Sequence, residues 1–373
     1  MSKVATGQDI IKWFEEWSPK QLAFEGDPVG LHVGTLNKKV NKVMVTLDVL
    51  ESVVDEAIEN NVDLIIAHHP LLFKPLKQVS PDNEKGRIVQ KLIKHDITVY
   101  AAHTNLDVAW GGVNDAMCEA LGVNVKDVLI ETERERLYKV VVFVPQTHEN
   151  EVREALGDAG AGHIGNYSHC TFQTPGIGAF KPEEGADPYL GTEGEIEKVD
   201  EVRMETIVPQ SVLKTVLKAM DQAHPYEEVA YDVYPLELQG EKKGLGRMAE
   251  LDEPMTLESF AERVKDAFDV PALRLVGDKK KMVKNVAVLG GDGNKYISAA
   301  KRKGADVFVT GDLYFHVAHD ALGMGLNVID PGHHVEKVMK RTVHDFLKEK
   351  FEQKQISTDV MISKAHTEPF QFM

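Results

Sequence analysis

The sequence predicts an α/β protein of two related α/β halves, interrupted by an inserted ferredoxin-like α+β domain. Three observations predict it. Apolar runs of strand length alternate with amphipathic helical stretches at both ends of the chain. The two ends align with one another. The middle carries its own tandem pair of β-α-β patterns. The halves fall at residues 1–130 and 241–373, and the insert at 131–240.

The first half opens its pattern with "KVMVTLD", an apolar strand from Lys42. "VLESVVDEAIENN" follows, with Val49, Val53, Val54, Ala57 and Ile58 at helical spacing. "VDLIIAHHP" is a second strand, apolar throughout, as parallel strands covered on both faces are. The helical "GRIVQKLIKH" and the strand "HDITVYAAHTNLD" repeat the unit.

In the insert, "RLYKVVVFVPQTHENEVREALGDAGAG" and "DEVRMETIVPQSVLKTVLKAMDQAH" share a strand, the tripeptide Val-Pro-Gln and an amphipathic helix. A further strand follows each, the tandem pattern of a split β-α-β domain. Between them the Gly- and Pro-rich segment from Thr174 to Gly194 reads as an exposed loop or hairpin. "HPYEEV", from His224, reads as a turn into a strand, and Gly244 and Gly246 as the turn that returns the chain.

The second half repeats the first. "NVAVLGGDG" is a strand, "NKYISAAKRKG" a helix and "ADVFVTGDLYFH" a strand. Asp63 to His69 then aligns with Asp306 to Asp312, so His68-His69 and Gly311-Asp312 stand at equivalent strand ends. "LNVID" forms another strand, and a helix opens within "PGHHVEKVMKRTVHDFLKEKF". "GGDGNK", from Gly290, is a short glycine turn with weak phosphate-cradling character.

Open parallel sheets bind ligands at the carboxyl ends of their strands. There this sequence places His68 and His69, His103 and Asp107, Asp312, and His333 and Glu336. The last two, at i and i+3, share a helix face, and His334 points elsewhere. Imidazoles and carboxylates without thiolate suit zinc, iron or manganese. The set is large enough for two divalent ions, with Asp107 in a loop as their expected bridge. Hydrolysis of a phosphorylated or nucleotide-like small molecule is the chemistry such a pair supports. His148, His163, His169 and His224 belong to the insert and read as surface or loop residues.

Composition narrows the classes. A formal charge of -16 argues against a nucleic-acid surface. Two cysteines, Cys118 and Cys170, form no CxxC pair and fit a reducing cytosol. No apolar run reaches membrane-spanning length, and the N-terminal stretch is amphipathic rather than signal-like. The expectation is a soluble cytoplasmic protein.

Jointly, "EGDPVGLHVG", "AHHPLLF", "AAHTNLDVAWGGVND", "GGDGNKYISAAKRKGADVFVTGD" and "DPGHHVEK" resemble the NIF-three-like proteins, which often carry the name GTP cyclohydrolase type-two homologue. The middle segment with "HPYEEVAYDVYPL" resembles the PII/CutA-like insert of some bacterial members. The resemblance implies a dinuclear metal site and a toroidal homohexamer. Its metal ligands would be His68, His69, Asp107, His333 and Glu336. His103 would be a further ligand or a proton-transfer group. Many members place the final Glu four residues after the His, where this chain has Lys337. Two functions stand side by side: a metal-dependent hydrolase of GTP cyclohydrolase or phosphoesterase type, and a non-catalytic metal-binding scaffold whose insert recruits a partner or senses a ligand.

Overall fold

The structure is a computed structural model that describes residues 3–373. The chain divides into two compact units, one formed by residues up to Glu133 and from Lys243 onward, the other by Arg134–Lys242. In chain order the strands are β1 (Gly30–Val33), β2 (Lys42–Thr46), β3 (Leu64–Ala67), β4 (Thr98–Ala101), β5 (Asn124–Pro145), β6 (Thr171–Phe180) and β7 (Glu197–Pro209). They continue with β8 (Tyr231–Thr256), β9 (Arg274–Val276), β10 (Met282–Asp292), β11 (Val307–Gly311), β12 (Asn327–Asp330) and β13 (Asp359–Ile362).

The first unit holds a sheet of order β1-β4-β3-β2-β13. β4, β3, β2 and β13 are mutually parallel, and β1 is antiparallel at one edge. Helices Glu51–Glu59 and Glu84–Lys94 are the crossovers. All four residues of β3 are buried, which parallel strands covered on both faces require. The second sheet of this unit runs β8-β10-β11-β12-β9, with β10, β11 and β12 parallel between antiparallel neighbours.

The two halves share more than an apolar pattern. Asp63, before β3, accepts from the backbone N–H groups of Asn41 and Lys42 at 2.6 and 3.2 Å. Asp306, before β11, accepts from those of Lys284 and Asn285 at 3.0 and 2.8 Å. The same carboxylate therefore locks the start of the same strand pair twice. The halves are not separate, however: β13, from the second half of the chain, joins the sheet of the first. It covers the edge of β2, which would otherwise present unpaired backbone groups.

In the second unit the order is strand, helix, strand, strand, helix, strand, and the sheet runs β6-β7-β5-β8. Val140, Val142 and Val144 alternate into its core against Val152 and Leu156 of the helix Glu149–Asp158. The segment from Thr174 takes the hairpin form of the expected loop or hairpin, its first part a strand and residues 181–196 the connecting loop. Thr174 to Phe180 pairs with β7, from Thr174 opposite Arg203 to Phe180 opposite Glu197. Pro175 is compatible with this because β6 is an edge strand, where a missing N–H costs no ladder bond. Among the described residues, no helix is long and apolar enough to cross a membrane.

Arg247 clamps the first unit internally. Fully buried, it binds Asp115 at 2.6 Å and donates to the carbonyls of Ala109, Gly244 and Gly246. Its guanidinium lies 4.3 Å from the Trp110 ring centroid. Gly244 and Gly246 lie within strand β8 rather than in the expected return turn, and their carbonyls supply acceptors to a buried cation. Arg247→Ala strands Asp115 without its partner, and breaking such a pair costs about 3–5 kcal/mol. Denaturant unfolding should show that loss in the midpoint.

Candidate metal centre

The carboxyl ends of the parallel strands bring six predicted residues together. His68 and His69 leave β3. His103 caps the short helix Thr104–Val108, and Asp107 lies on that helix rather than in a loop. His333 and Glu336 sit on a 3₁₀ turn, His333–Val338, which precedes the helix Met339–Gln353. A 3₁₀ helix has three residues per turn, so i and i+3 eclipse. Hence Glu336 is aligned with His333, and Lys337 instead reaches the carbonyl of Asp269. His334 points away, its Nε2 3.2 Å from Thr367 Oγ1.

Every one of the four imidazoles is held through Nδ1. His68 Nδ1 donates to the Ala102 carbonyl at 2.8 Å. His69 Nδ1 donates to Asp48 at 2.7 Å, His103 Nδ1 to Asp27 at 2.8 Å and His333 Nδ1 to Asp312 at 2.7 Å. Nε2 is left facing the cluster in each case. Metal-binding histidines show this arrangement, in which a carboxylate or carbonyl fixes tautomer and ring orientation. Asp312 emerges as a positioning residue. Asp27 and Asp48 were not singled out from the sequence. Asp48 could have been, because "KVMVTLD" ends a parallel strand as the other site segments do.

Glu336 is the centre of the cluster. It is only 3% exposed, and its Oε2 lies 3.0 Å from His69 Nε2, 3.2 Å from His333 Nε2 and 3.8 Å from His68 Nε2. Burial would raise its pKa, but the bonds from His333 and His69 hold it well below the ordinary range. Burial lowers the His69 pKa, yet its bonds to Asp48 and Glu336 carry it up to about 10. The bond to Glu336 lifts His333 to about 9 despite burial. Burial dominates at His68 and pulls it down to about 3. Asp107 is pushed well above the usual carboxylate range by burial and by the Glu336 charge.

Two buried atoms here have no hydrogen-bond partner, His68 Nε2 and Asp107 Oδ1, and they lie 3.6 Å apart. An orphaned imidazole nitrogen beside an orphaned carboxylate oxygen is what a cation would satisfy. Ligand atoms of His68, Asp107 and Glu336 lie within 4.8 Å of one another, as do those of His69, His333 and Glu336. Glu336 belongs to both groups and Asp107 to one. Glu336 is thus the carboxylate that these two groups share. A third group joins His68, His69 and His103.

The glycine turn does a different task from the weak phosphate cradle. A Cβ on Gly290 would lie 2.6 Å from Glu336 Oε1, and one on Gly291 3.1 Å from it. Gly290 N–H donates to Asn114 Oδ1, whose amide nitrogen donates to the Asp107 carbonyl. The fully buried Asn114 thereby ties the Asp107 helix to the strand behind Glu336.

A family model described as Duf34/NIF3 (NGG1p interacting factor 3) matches residues 5–369. A Bacillus subtilis protein named GTP cyclohydrolase 1 type 2 homolog is 58% identical over 373 residues, covering 100% of both chains. A relative of the same name from Halalkalibacterium halodurans is 57% identical over 371 residues, also covering 100% of each. The crystal structure of a Bacillus cereus protein related to NIF3 superposes with a TM-score of 0.95 at 57% identity over 100% of both chains.

Glu336→Gln should weaken metal uptake at least as much as the roughly 10–100-fold typical of losing a supporting partner. His334→Ala should leave uptake near wild type. A competitive metal titration of both variants gives the ranking, and the reverse order would place His334 in the site.

Proposed function

Because the chain belongs to the Duf34/NIF3 family, we propose that it is a dinuclear metal protein acting as a hydrolase on a nucleotide or another phosphorylated small molecule. The observation that carries the metal reading is the orphaned pair His68 Nε2 and Asp107 Oδ1, set among imidazoles held through Nδ1. One ion would be held by His68, Asp107 and Glu336, the other by His69, His333 and Glu336. Oxygen and nitrogen donors suit zinc, iron or manganese. Two such ions supply Lewis acidity and acidify water at neutral pH.

The protein's own groups supply the rest. His103, oriented by Asp27, has the geometry of a proton-transfer residue, with a carboxylate fixing the tautomer and Nε2 turned inward. Asp27 keeps its charge although burial opposes it, because His103 and Thr104 donate to it. Beside His103 the Phe73 ring is 64% exposed, its centroid 6.4 Å from the imidazole. That open apolar ring gives a planar base a surface to stack on. The name carried by the relatives points the same way, toward a purine nucleotide. The family resemblance also brings a homohexamer into the proposal, to be read from the mass in solution.

Elemental analysis of protein prepared without chelators should approach two equivalents of metal per chain. Asp107→Ala should lose one of them and Glu336→Ala both. Loss of both ions in Asp107→Ala would restore Asp107 as the bridge.

Metal-loaded protein, assayed against nucleotides and phosphoesters, should turn over at least one of them. His103→Gln should keep both ions and lose roughly 10²–10⁴-fold in rate, the usual worth of a general acid or base. Loss of an ion instead would make His103 a ligand. No turnover across the panel would favour the scaffold reading.

A further inference from the structure

The second unit contains a cavity of about 630 Å³ that the metal centre does not use. Its size falls within the usual range of small-molecule sites. Phe180, Tyr189 and Tyr226 form aromatic walls, with the Tyr226 centroid 5.7 Å from Phe180 and 6.3 Å from Tyr189. The turn "HPYEE" builds one wall. His224 Nδ1 accepts from the Tyr226 backbone N–H at 3.1 Å, and its Nε2 donates to the Phe143 carbonyl at 2.9 Å. The turn read from the sequence thus also fixes Tyr226 in place.

Glu201 lines the same cavity and is only 8% exposed. The Tyr226 hydroxyl donates to its Oε1 at 3.1 Å. Among the described residues no cation pairs with it. Arg203, also in the lining, is bonded to Glu205 instead. A carboxylate buried to this degree without a counter-ion is costly. Glycine at 178 gives it room, since a Cβ there would lie 2.1 Å from Oε2. The cavity therefore offers an unpaired buried anion surrounded by aromatic rings. Aromatic faces attract cations. An anionic ligand would meet Glu201 and, in the same lining, Glu227 and Glu228.

We propose that this cavity binds a small organic cation, an ammonium group carried on an apolar body. The ammonium pairs with Glu201, and the body lies against Phe180, Tyr189 and Tyr226. This site is independent of the metal reading, and its ligand would make the second unit a sensor of amines.

Titration calorimetry on the full chain tests it with three probes of one shape: phenethylamine, neutral 2-phenylethanol and anionic phenylacetate. Phenethylamine should bind at least tenfold more tightly than either of the others. Glu201→Gln, which preserves shape and an acceptor for Tyr226, should lose tenfold or more for the amine alone. Tyr189→Ala should weaken the amine several-fold. Equal binding of amine and alcohol to the wild-type protein would overturn the proposal, whatever the fate of the variants. Unchanged amine binding in a folded Glu201→Gln protein would overturn it as well. Absence of amine binding would also overturn it. If Glu201→Gln then lowered the mass in solution, the missing cation would belong to a second copy of the chain.

Discussion

One carboxylate buried among imidazoles constrains the first unit more than any other interaction. Glu336 is almost wholly withdrawn from water, and nitrogens from both halves of the unit converge on its Oε2. A buried charge persists only if surrounding groups compensate it. The strand ends of the two halves must therefore meet at a fixed separation, and the chain behind Glu336 must come close. Gly290 and Gly291 permit that approach, and Asn114 holds it by linking Gly290 to the Asp107 helix. The carboxylates of Asp27, Asp48 and Asp312 form a further layer that sets each ring. Fold and site are here one problem, because moving either half would leave Glu336 with His333 as its one remaining imidazole partner.

Much of this was legible in the sequence, for a physical reason. Buried parallel strands are apolar throughout, so polar residues directly after them stand out, and His68-His69 is the clearest case. The alignment of Asp63 with Asp306 was also readable, and the structure shows those two side chains making the same backbone bonds. Glu336 followed from its three-residue spacing to His333, although the turn that aligns them is 3₁₀ and not α.

Other features could not be read because they depend on tertiary contact. Asp27 acts on His103 across 76 positions of sequence, and no local pattern marks that pairing. Proline and glycine in "TPGIG" do not separate a loop from a hairpin arm, and as an edge strand the segment needs neither the missing N–H nor the missing side chains. The C-terminal strand β13 is four residues long, and only the open edge of β2 gives it a place. That Glu336 rather than Asp107 is shared by two of the ligand groups could not be read either, because centrality within a cluster is a property of three-dimensional distance.

The matching carboxylates Asp63 and Asp306 bear on how such a protein could arise. Two halves that share three parallel strands, an antiparallel strand beside the third and the same locking bond point to duplication of one shorter gene. The first half now contributes His68, His69, His103 and Asp107, and the second His333 and Glu336. At the position equivalent to His68-His69, the second half has Gly311-Asp312. A half-length ancestor would have completed such a site only by pairing with its own twin. Fusion would release the two copies from identity and leave each free to keep a different part of the cluster.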